Sequence, residues 1–541
     1  MLKNDLKQFF VFELFEVFCC SPKAVFPFEE KRLNYAFCPS GSYKPDEENS
    51  SVGTRKILIY ISKKQNIPSS DSRKACRYGK ILSVSLPLVV STATTMVMEF
   101  TDRIFLARYS LEAIAAATPG GLTALLFIAF FLGVANYVTV FIAQYLGAGM
   151  NLRVGAALWQ GTYFSLLAGV LLAGISLIAE PLFRVGGHEP EVQRLEALYF
   201  QILCLGAGFN VLSTAFSCFY MGQGHTRPVM AVFTLGMIFN IPLDYALING
   251  VGPFPAMGIA GAGLATVAAW VLMALLFGLL IFRPENDRRF GVLQNRRWEK
   301  DLFRRLMTFG IPGAVQFCMD LFAFTFFVFM VGRIGKAELA VTNIVLSISS
   351  LAFMPMMGFS LGTSALVGQA LGRNRDDEAA AVARSTFHIL YGYIFFLALL
   401  FLLLPEWPLS LFLSGDPETG SNPVILEMGI ILLRFVAFYI IFDAHYMVFT
   451  GVLKGAGDTR FIMWSIGGLS ILVMILPVWV GVVFLNAGIY FAWGCVTLFI
   501  LSLFTVSGLR YRSGKWKSMR VIETENTGED ESGPLAGPVH P

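Results

Sequence analysis

The chain is written twice. Gly222-Gln223-Gly224-His225-Thr226-Arg227 returns 233 positions later as Gly455-Ala456-Gly457-Asp458-Thr459-Arg460, and Pro87, Gln144 and Gly147 return 225 positions later as Pro312, Gln369 and Gly372. The offsets differ by 8 residues, an indel between the two sets of matches. Each copy holds six long apolar runs. If each run crosses a bilayer, an even number per copy makes both copies enter and leave on the same side. The duplication is then a parallel repeat about an axis along the membrane normal, an arrangement that builds a site between two lobes.

Composition supports the spanning reading. Of 541 residues, 55% are hydrophobic and only 14% charged, with a mean hydropathy of +0.63; soluble domains carry about 25% charge. Runs near 80–107, 119–145, 156–179, 194–220, 228–250, 257–282, 305–332, 342–371, 383–405, 424–450, 461–484 and 486–509 are each long enough for a helix across a core of about 30 Å. The alternating strands of roughly 10 residues that a membrane barrel needs are missing. The predicted fold is therefore an all-α polytopic membrane protein of about twelve transmembrane helices in two six-helix lobes. The N-lobe takes 73–282, a connecting loop 283–304 and the C-lobe 305–509, flanked by an extension at 1–72 and a tail at 510–541.

The placement of positive charge sets the orientation. Arg73, Lys74, Arg77 and Lys80 precede span 1; Arg153, Arg227, Arg373, Arg375, Lys454 and Arg460 fall in the even connections; and the middle connection, about 283–305 with the first residue of the C-lobe included, carries Arg288, Arg289, Arg296, Arg297, Lys300, Arg304 and Arg305. Connections after spans 5, 9 and 11 hold no Lys or Arg. By the positive-inside rule both termini and the inter-lobe loop are expected in the cytoplasm. Because these charges track topology, a nucleic-acid partner is not expected. The 8 cysteines form no spaced metal set and read as reduced structural thiols. The extension mixes acid and base and lacks a signal-peptide pattern, and the tail from about Lys517 is polar and acidic, so disorder is expected in both.

Acids inside apolar spans cost at least about 2.5 to 3.5 kcal/mol on the mildest scale, and so point to function. Few are present: Glu99 and Asp102 end span 1, Asp244 lies in span 5, Asp320 in span 7 and Asp443 in span 10. Glu99 and Arg103, four apart, fit an interfacial pair. Asn240 precedes Asp244 by one helical turn, where its amide can hydrogen bond the acid in either protonation state. The acids break the repeat: Asp102 aligns with Phe327, Asp320 with Thr95 and Asp443 with Asn210. Scaffold residues such as the prolines and glycines recur, so the divergence of the acids fits separate cation-binding roles in the two lobes. Pro87, Pro242, Pro312, Pro355 and Pro477 each interrupt a span and can kink it.

Taken together, Phe100-Thr101-Asp102-Arg103-Ile104-Phe105, Gln144-Tyr145-Leu146-Gly147-Ala148-Gly149, Asn240-Ile241-Pro242-Leu243-Asp244, Gly368-Gln369-Ala370-Leu371-Gly372 and the two Gly-x-Gly-x-Thr-Arg segments resemble the multidrug and toxic compound extrusion (MATE) transporters, nearest the bacterial branch, over about 75–510. The resemblance implies a central V-shaped cleft and export of organic, often cationic, compounds driven by H⁺ or Na⁺. It implies an N-lobe coupling site at Asp102, Asn240, Asp244 and Thr266, a C-lobe cation site at Asp320 and Asp443, and a bend at Pro87. Asp320 departs from the Glu often found at its position, one methylene shorter. No cofactor is implied beyond the coupling ion, and no metal beyond Na⁺ at these acids. The expected protein is a monomeric, multi-pass secondary active exporter in the cell membrane, with small organic molecules and the lipid bilayer as partners. The alternative is a flippase for lipids or lipid-linked oligosaccharides, which would need a cationic cleft; Arg434 in span 10 is the main intramembrane cation. An enzyme is not expected, because no catalytic motif lies within the spans, and no phosphate-binding loop of a primary pump is present.

Overall fold

Long apolar helices separated by very short breaks dominate the chain. The computed structural model describes residues 70–184, 188–413 and 423–523; nearly all of the 1–72 extension, and the tail beyond 523, lie outside the described residues. Among the described residues, twelve helices are long and apolar enough to cross a membrane. They are α1 (Arg77–Tyr109), α2 (Leu111–Gly147), α3 (Asn151–Ser176), α4 (Pro190–Gln223), α5 (Arg227–Asn249), α6 (Ile259–Ile281), α7 (Lys300–Ile334), α8 (Lys336–Gly372), α9 (Asp376–Leu403), α10 (Val424–Ala456), α11 (Thr459–Val483) and α12 (Ile489–Arg512). No strand occurs among the described residues. The starts of α1 and α7, the even connections and the end of α12 share one side of the bundle, called here the basic face.

Local chemistry sets the helix ends. Ser110 alone divides α1 from α2: its extended backbone (φ −157°, ψ 152°) and its Oγ, which accepts from the Ala113 N–H, start a new helix at once. The repeated Gly-x-Gly-x-Thr-Arg segment closes α4 and α10. Its second glycine, Gly224 or Gly457, takes a positive φ of 75° or 100° that a side chain would strain. Its threonine has a task tied to Pro87. A proline has no N–H, so Pro87 leaves the Ser83 carbonyl without its helical donor; Thr226 Oγ1 donates to the Val84 carbonyl at 2.8 Å and to Ser83 at 3.3 Å. In the other copy Thr459 Oγ1 is buried without a partner. Thr226→Val is therefore expected to lower thermal stability by about 1 kcal/mol, and Thr459→Val to leave it unchanged. Melting in detergent decides this, and equal shifts for the two variants would contradict it. In α11, Pro477 follows a π-helical turn at Ser470–Ile475, a local departure from regular α-helix next to the proline.

Each lobe has its own apolar core, around Phe200, Val211 and Leu172 in one and around Phe327 and Trp493 in the other, whose rings meet edge to face at 5.7 Å. The lobes meet in a belt toward the basic face. Gly133 of α2 lies against Ala314 of α7, and Ser85 and Val89 of α1 lie against Gly362 and Gly358 of α8. At the inner end of the belt the chain's two copies clasp each other reciprocally: Gln144 Nε2 donates to the Gly455 carbonyl at 2.9 Å, and Gln369 Nε2 donates to the Gly222 carbonyl at 2.8 Å. The approach is close enough that a Cβ on Gly147 would fall 2.3 Å from the Gln369 oxygen, and one on Gly372 2.2 Å from that of Gln144.

Three expectations are corrected. The α7 helix begins at Lys300, so Arg304 and Arg305 are helical and do not belong to the loop. Lys454 is not in a connection but in the last turn of α10. The tail from Lys517 is not unstructured as far as Glu523: a short turn at Lys515–Ser518 follows α12, and Trp516 and Val521 are buried. Polarity alone hid this, because the segment buries only a few apolar side chains and is otherwise held by hydrogen bonds and an ion pair.

Candidate functional site

Two cavities lie beyond the belt, away from the basic face, one in each lobe. The N-lobe cavity, about 360 Å³, runs along the face of α1 that carries Ser91, Thr95, Met98, Asp102 and Leu106. These positions recur every three or four residues, as one side of a helix requires. Asp102 is 6% exposed, and its Oδ2 accepts from Thr266 Oγ1 of α6 at 3.1 Å. Asp244 of α5 faces Asp102. It is fully buried behind the cavity wall, as is Asn240 one turn before it. Neither Asp244 oxygen, nor the second oxygen of Asp102, nor either amide atom of Asn240 has a hydrogen-bond donor or acceptor. Two ionised carboxylates cannot donate to each other, so a proton or cation held between Asp102 and Asp244 would satisfy this pair. Thus α1, α5 and α6 bring Asp102, Asp244 and Thr266 together, with Asn240 beside them. Glu99 and Arg103, one turn apart, also line the cavity.

The C-lobe cavity, about 580 Å³, lies between α7, α8, α10 and α2. Asp320 of α7 and Asp443 of α10 both line it, so the two expected C-lobe acids share one chamber. Gln316, one turn before Asp320, donates its amide N–H to that carboxyl. Gln316 Oε1 of α7, Ser349 Oγ of α8 and Thr450 Oγ1 of α10 are buried without hydrogen-bond partners around the same chamber. With the two carboxylates they form an oxygen-rich set of the kind hard monovalent cations and ammonium groups bind.

Besides Gln316, Ser349 and Thr450, two further lining residues were not read as part of a site from the sequence. Lys454 lines the inner end of the C-lobe cavity and is drawn electrostatically to Asp320. Its signal was present: Asp443, Met447, Thr450 and Lys454 repeat at helical spacing along α10. Asn136 lines both cavities together with Met357 and Leu361, and so stands at their partition. It ends the first stretch of α2, where Tyr137 interrupts the regular helix; nothing in the sequence marks that break. Pro87 lies inside α1, on the basic side of the N-lobe cavity, in a helix that continues through it.

The MatE family model matches residues 87–246 and 312–480, once in each lobe. Among curated proteins, the probable multidrug resistance protein NorM of Thermotoga maritima is 26% identical, over 83% of this chain and 95% of that one. NorM of Pseudomonas aeruginosa is 28% identical over 70% and 78%. Multidrug resistance protein PmpM of the same organism is 26% identical over 72% and 82%. Among solved structures, a MATE protein in complex with MaL6 superposes with a TM-score of 0.75 at 19% identity, covering 82% of this chain and 97% of that one. An outward-facing multidrug resistance MATE transporter of the MOP superfamily gives 0.73 over the same shares.

Proposed function

The chain belongs to the MATE family and is a multi-pass membrane transporter, not an enzyme; from that premise we propose that it exports small organic compounds, often cationic, by antiport with H⁺ or Na⁺. The observation that carries this reading is the pair of acid-bearing cavities, one per lobe, on the same side of a single closed belt. The basic face is the cytoplasmic one, with both termini there and the cell membrane as the site of action, and the chain works as a monomer. The conformer described here is closed to the cytoplasm. Export then proceeds as the belt opens and the cavities face inward in turn.

The division of labour follows from the two environments. The N-lobe cluster holds Asp244 fully buried against Asp102 at the cavity wall, which suits exchange of a proton between them. The C-lobe chamber is larger and rich in unpartnered oxygens, which suits Na⁺ or the ammonium group of a substrate. One proton crossing about 100 mV supplies about 2.3 kcal/mol. A hundredfold gradient of a neutral compound requires about 2.7 kcal/mol. A pH difference of half a unit contributes about 0.7 kcal/mol more and closes the gap. One ion therefore suffices for a neutral compound, whereas a monocation leaving against the same potential costs about 2.3 kcal/mol more and needs two.

A flippase would need a cationic cleft. Arg434 lines neither cavity, and the cations that do, Arg103 and Lys454, are each outnumbered by carboxylates: Glu99 and Asp102 in one lobe, Asp320 and Asp443 in the other. The balance favours cationic cargo. Lys454 acts as a tethered competitor for Asp320, so Lys454→Gln should tighten binding of a permanently charged monocation such as tetraphenylphosphonium by about tenfold, as removing a repulsion of roughly 1 kcal/mol or more would. Equilibrium binding to purified protein measures this, and unchanged affinity would remove Lys454 from the site. The proposed function itself is tested by efflux from proteoliposomes under an imposed pH or Na⁺ gradient alone. Efflux that responds to neither gradient would rule out antiport.

A further inference from the structure

The segment after α12 is bound across the closed belt. From Gly514 the chain turns back, and Trp516, only 1% exposed, stacks on Tyr511 at 5.5 Å while its Nε1 donates to the Tyr511 carbonyl. Five residues on, the Val521 N–H donates to Gln144 Oε1 at 2.8 Å, and the Val521 carbonyl accepts from Arg305. Val521 is fully buried and packs on the bare backbone of Gly457, where a Cβ would come within 2.7 Å of its methyl group. Glu523 pairs with Arg305 and accepts from the Tyr145 hydroxyl at 2.8 Å. Burial alone would push the Glu523 carboxyl up, but its own backbone N–H, Tyr145, Arg305 and Arg153 together hold it below the ordinary range, so it is an anion at neutral pH.

These partners belong to both lobes. Gln144 and Tyr145 end α2, whereas Arg305 starts α7 and Gly457 lies between α10 and α11. The Gln144 amide is also half of the reciprocal clasp: its nitrogen donates to Gly455 while its oxygen holds the tail. The repeat offers no counterpart for this. The chain that follows α6 packs within its own lobe, with Trp159 of α3 donating to the Val292 carbonyl at 2.6 Å. Separating the lobes at the basic face would pull Gln144 and Tyr145 away from Arg305 and Gly457, and the segment could not keep both sets of bonds.

We propose that Trp516–Glu523 is a closing strap that binds only the conformer in which the lobes meet at the basic face, and so holds the transporter there until the segment is released. The proposal rests on the alternating exposure proposed above. By linkage, a segment that binds one conformer and not the other shifts the population by its differential affinity.

The test is the distance between spin labels at Arg227→Cys and Arg460→Cys, exposed positions following α4 and α10, in full-length protein whose labelling native cysteines are replaced by serine. Truncation after Gly514 should raise the open-to-closed ratio at the basic face about tenfold, equivalent to about 1.4 kcal/mol. Glu523→Gln and Tyr145→Phe, which keep the chain intact, should shift it in the same direction by less. Two wild-type populations whose ratio none of the three variants moves would overturn the strap alone. Lower melting without a change in ratio would do the same, because it would make the segment a structural clamp. A single wild-type distance under every ion and drug condition would remove alternating exposure and the strap with it.

Discussion

Asp244→Asn should lower ion-driven export about a hundredfold or more, the scale of losing a positioned proton-transfer group, with expression and melting unchanged. Asp244 is fully buried and faces Asp102, and neither of its oxygens has a donor. An amide of the same size fills the same space and removes only the exchangeable charge. Because Asp244 lies behind the wall of the N-lobe cavity, bound compound need not touch it. Equilibrium drug binding should therefore survive in the variant while gradient-driven efflux is lost. Efflux at wild-type rate would end the assignment of this cluster to coupling, whereas joint loss of binding and folding would make it a structural anchor.

The second large effect belongs to the C-lobe. Asp320 and Asp443 line one chamber from facing helices, so neutralising either should remove most of the cation dependence of efflux, and neutralising both should cost little more, since residues acting on one ligand are not additive. Were each a local anchor, the losses would add and would appear in the melting temperature. Efflux against cation concentration and melting, measured for Asp320→Asn, Asp443→Asn and the double variant, separate the two cases. Additive loss of stability with cation dependence intact would refute a shared site.

The architecture was largely legible because hydropathy and the even-numbered repeat leave few alternatives, and the span positions read from the chain differ from the helices mainly at their ends. Asp102, Asp244, Asp320 and Asp443 stood out because ionisable groups are scarce in apolar runs. The same rule misplaced Lys454, since a cation near a span end fits a loop as well as a cavity floor, and only its register along α10 distinguishes them. The repeat also concealed a relationship. Gln144 and Gln369 align with each other, yet each bonds to the glycine carbonyl of the opposite copy, and alignment does not report pairing across an axis. Asn136 and the Val521 segment depend on a helix break and on backbone hydrogen bonds, neither of which has a compositional signature.

The crossed glutamine bonds have a kinetic consequence. Each joins one lobe to the other, so neither lobe can swing away without breaking both, and the gate moves as a single element. Under the antiport proposed above, a single gate would put the two chambers on one clock, with whatever occupies the N-lobe facing the same compartment as whatever occupies the C-lobe. An ion and a cargo molecule would then be unable to pass each other in one movement and would take turns, one carried by the outward stroke and the other by the return. Leak is any stroke completed with the wrong occupancy, and the tightness of exchange is set by which occupied states allow the crossed bonds to part.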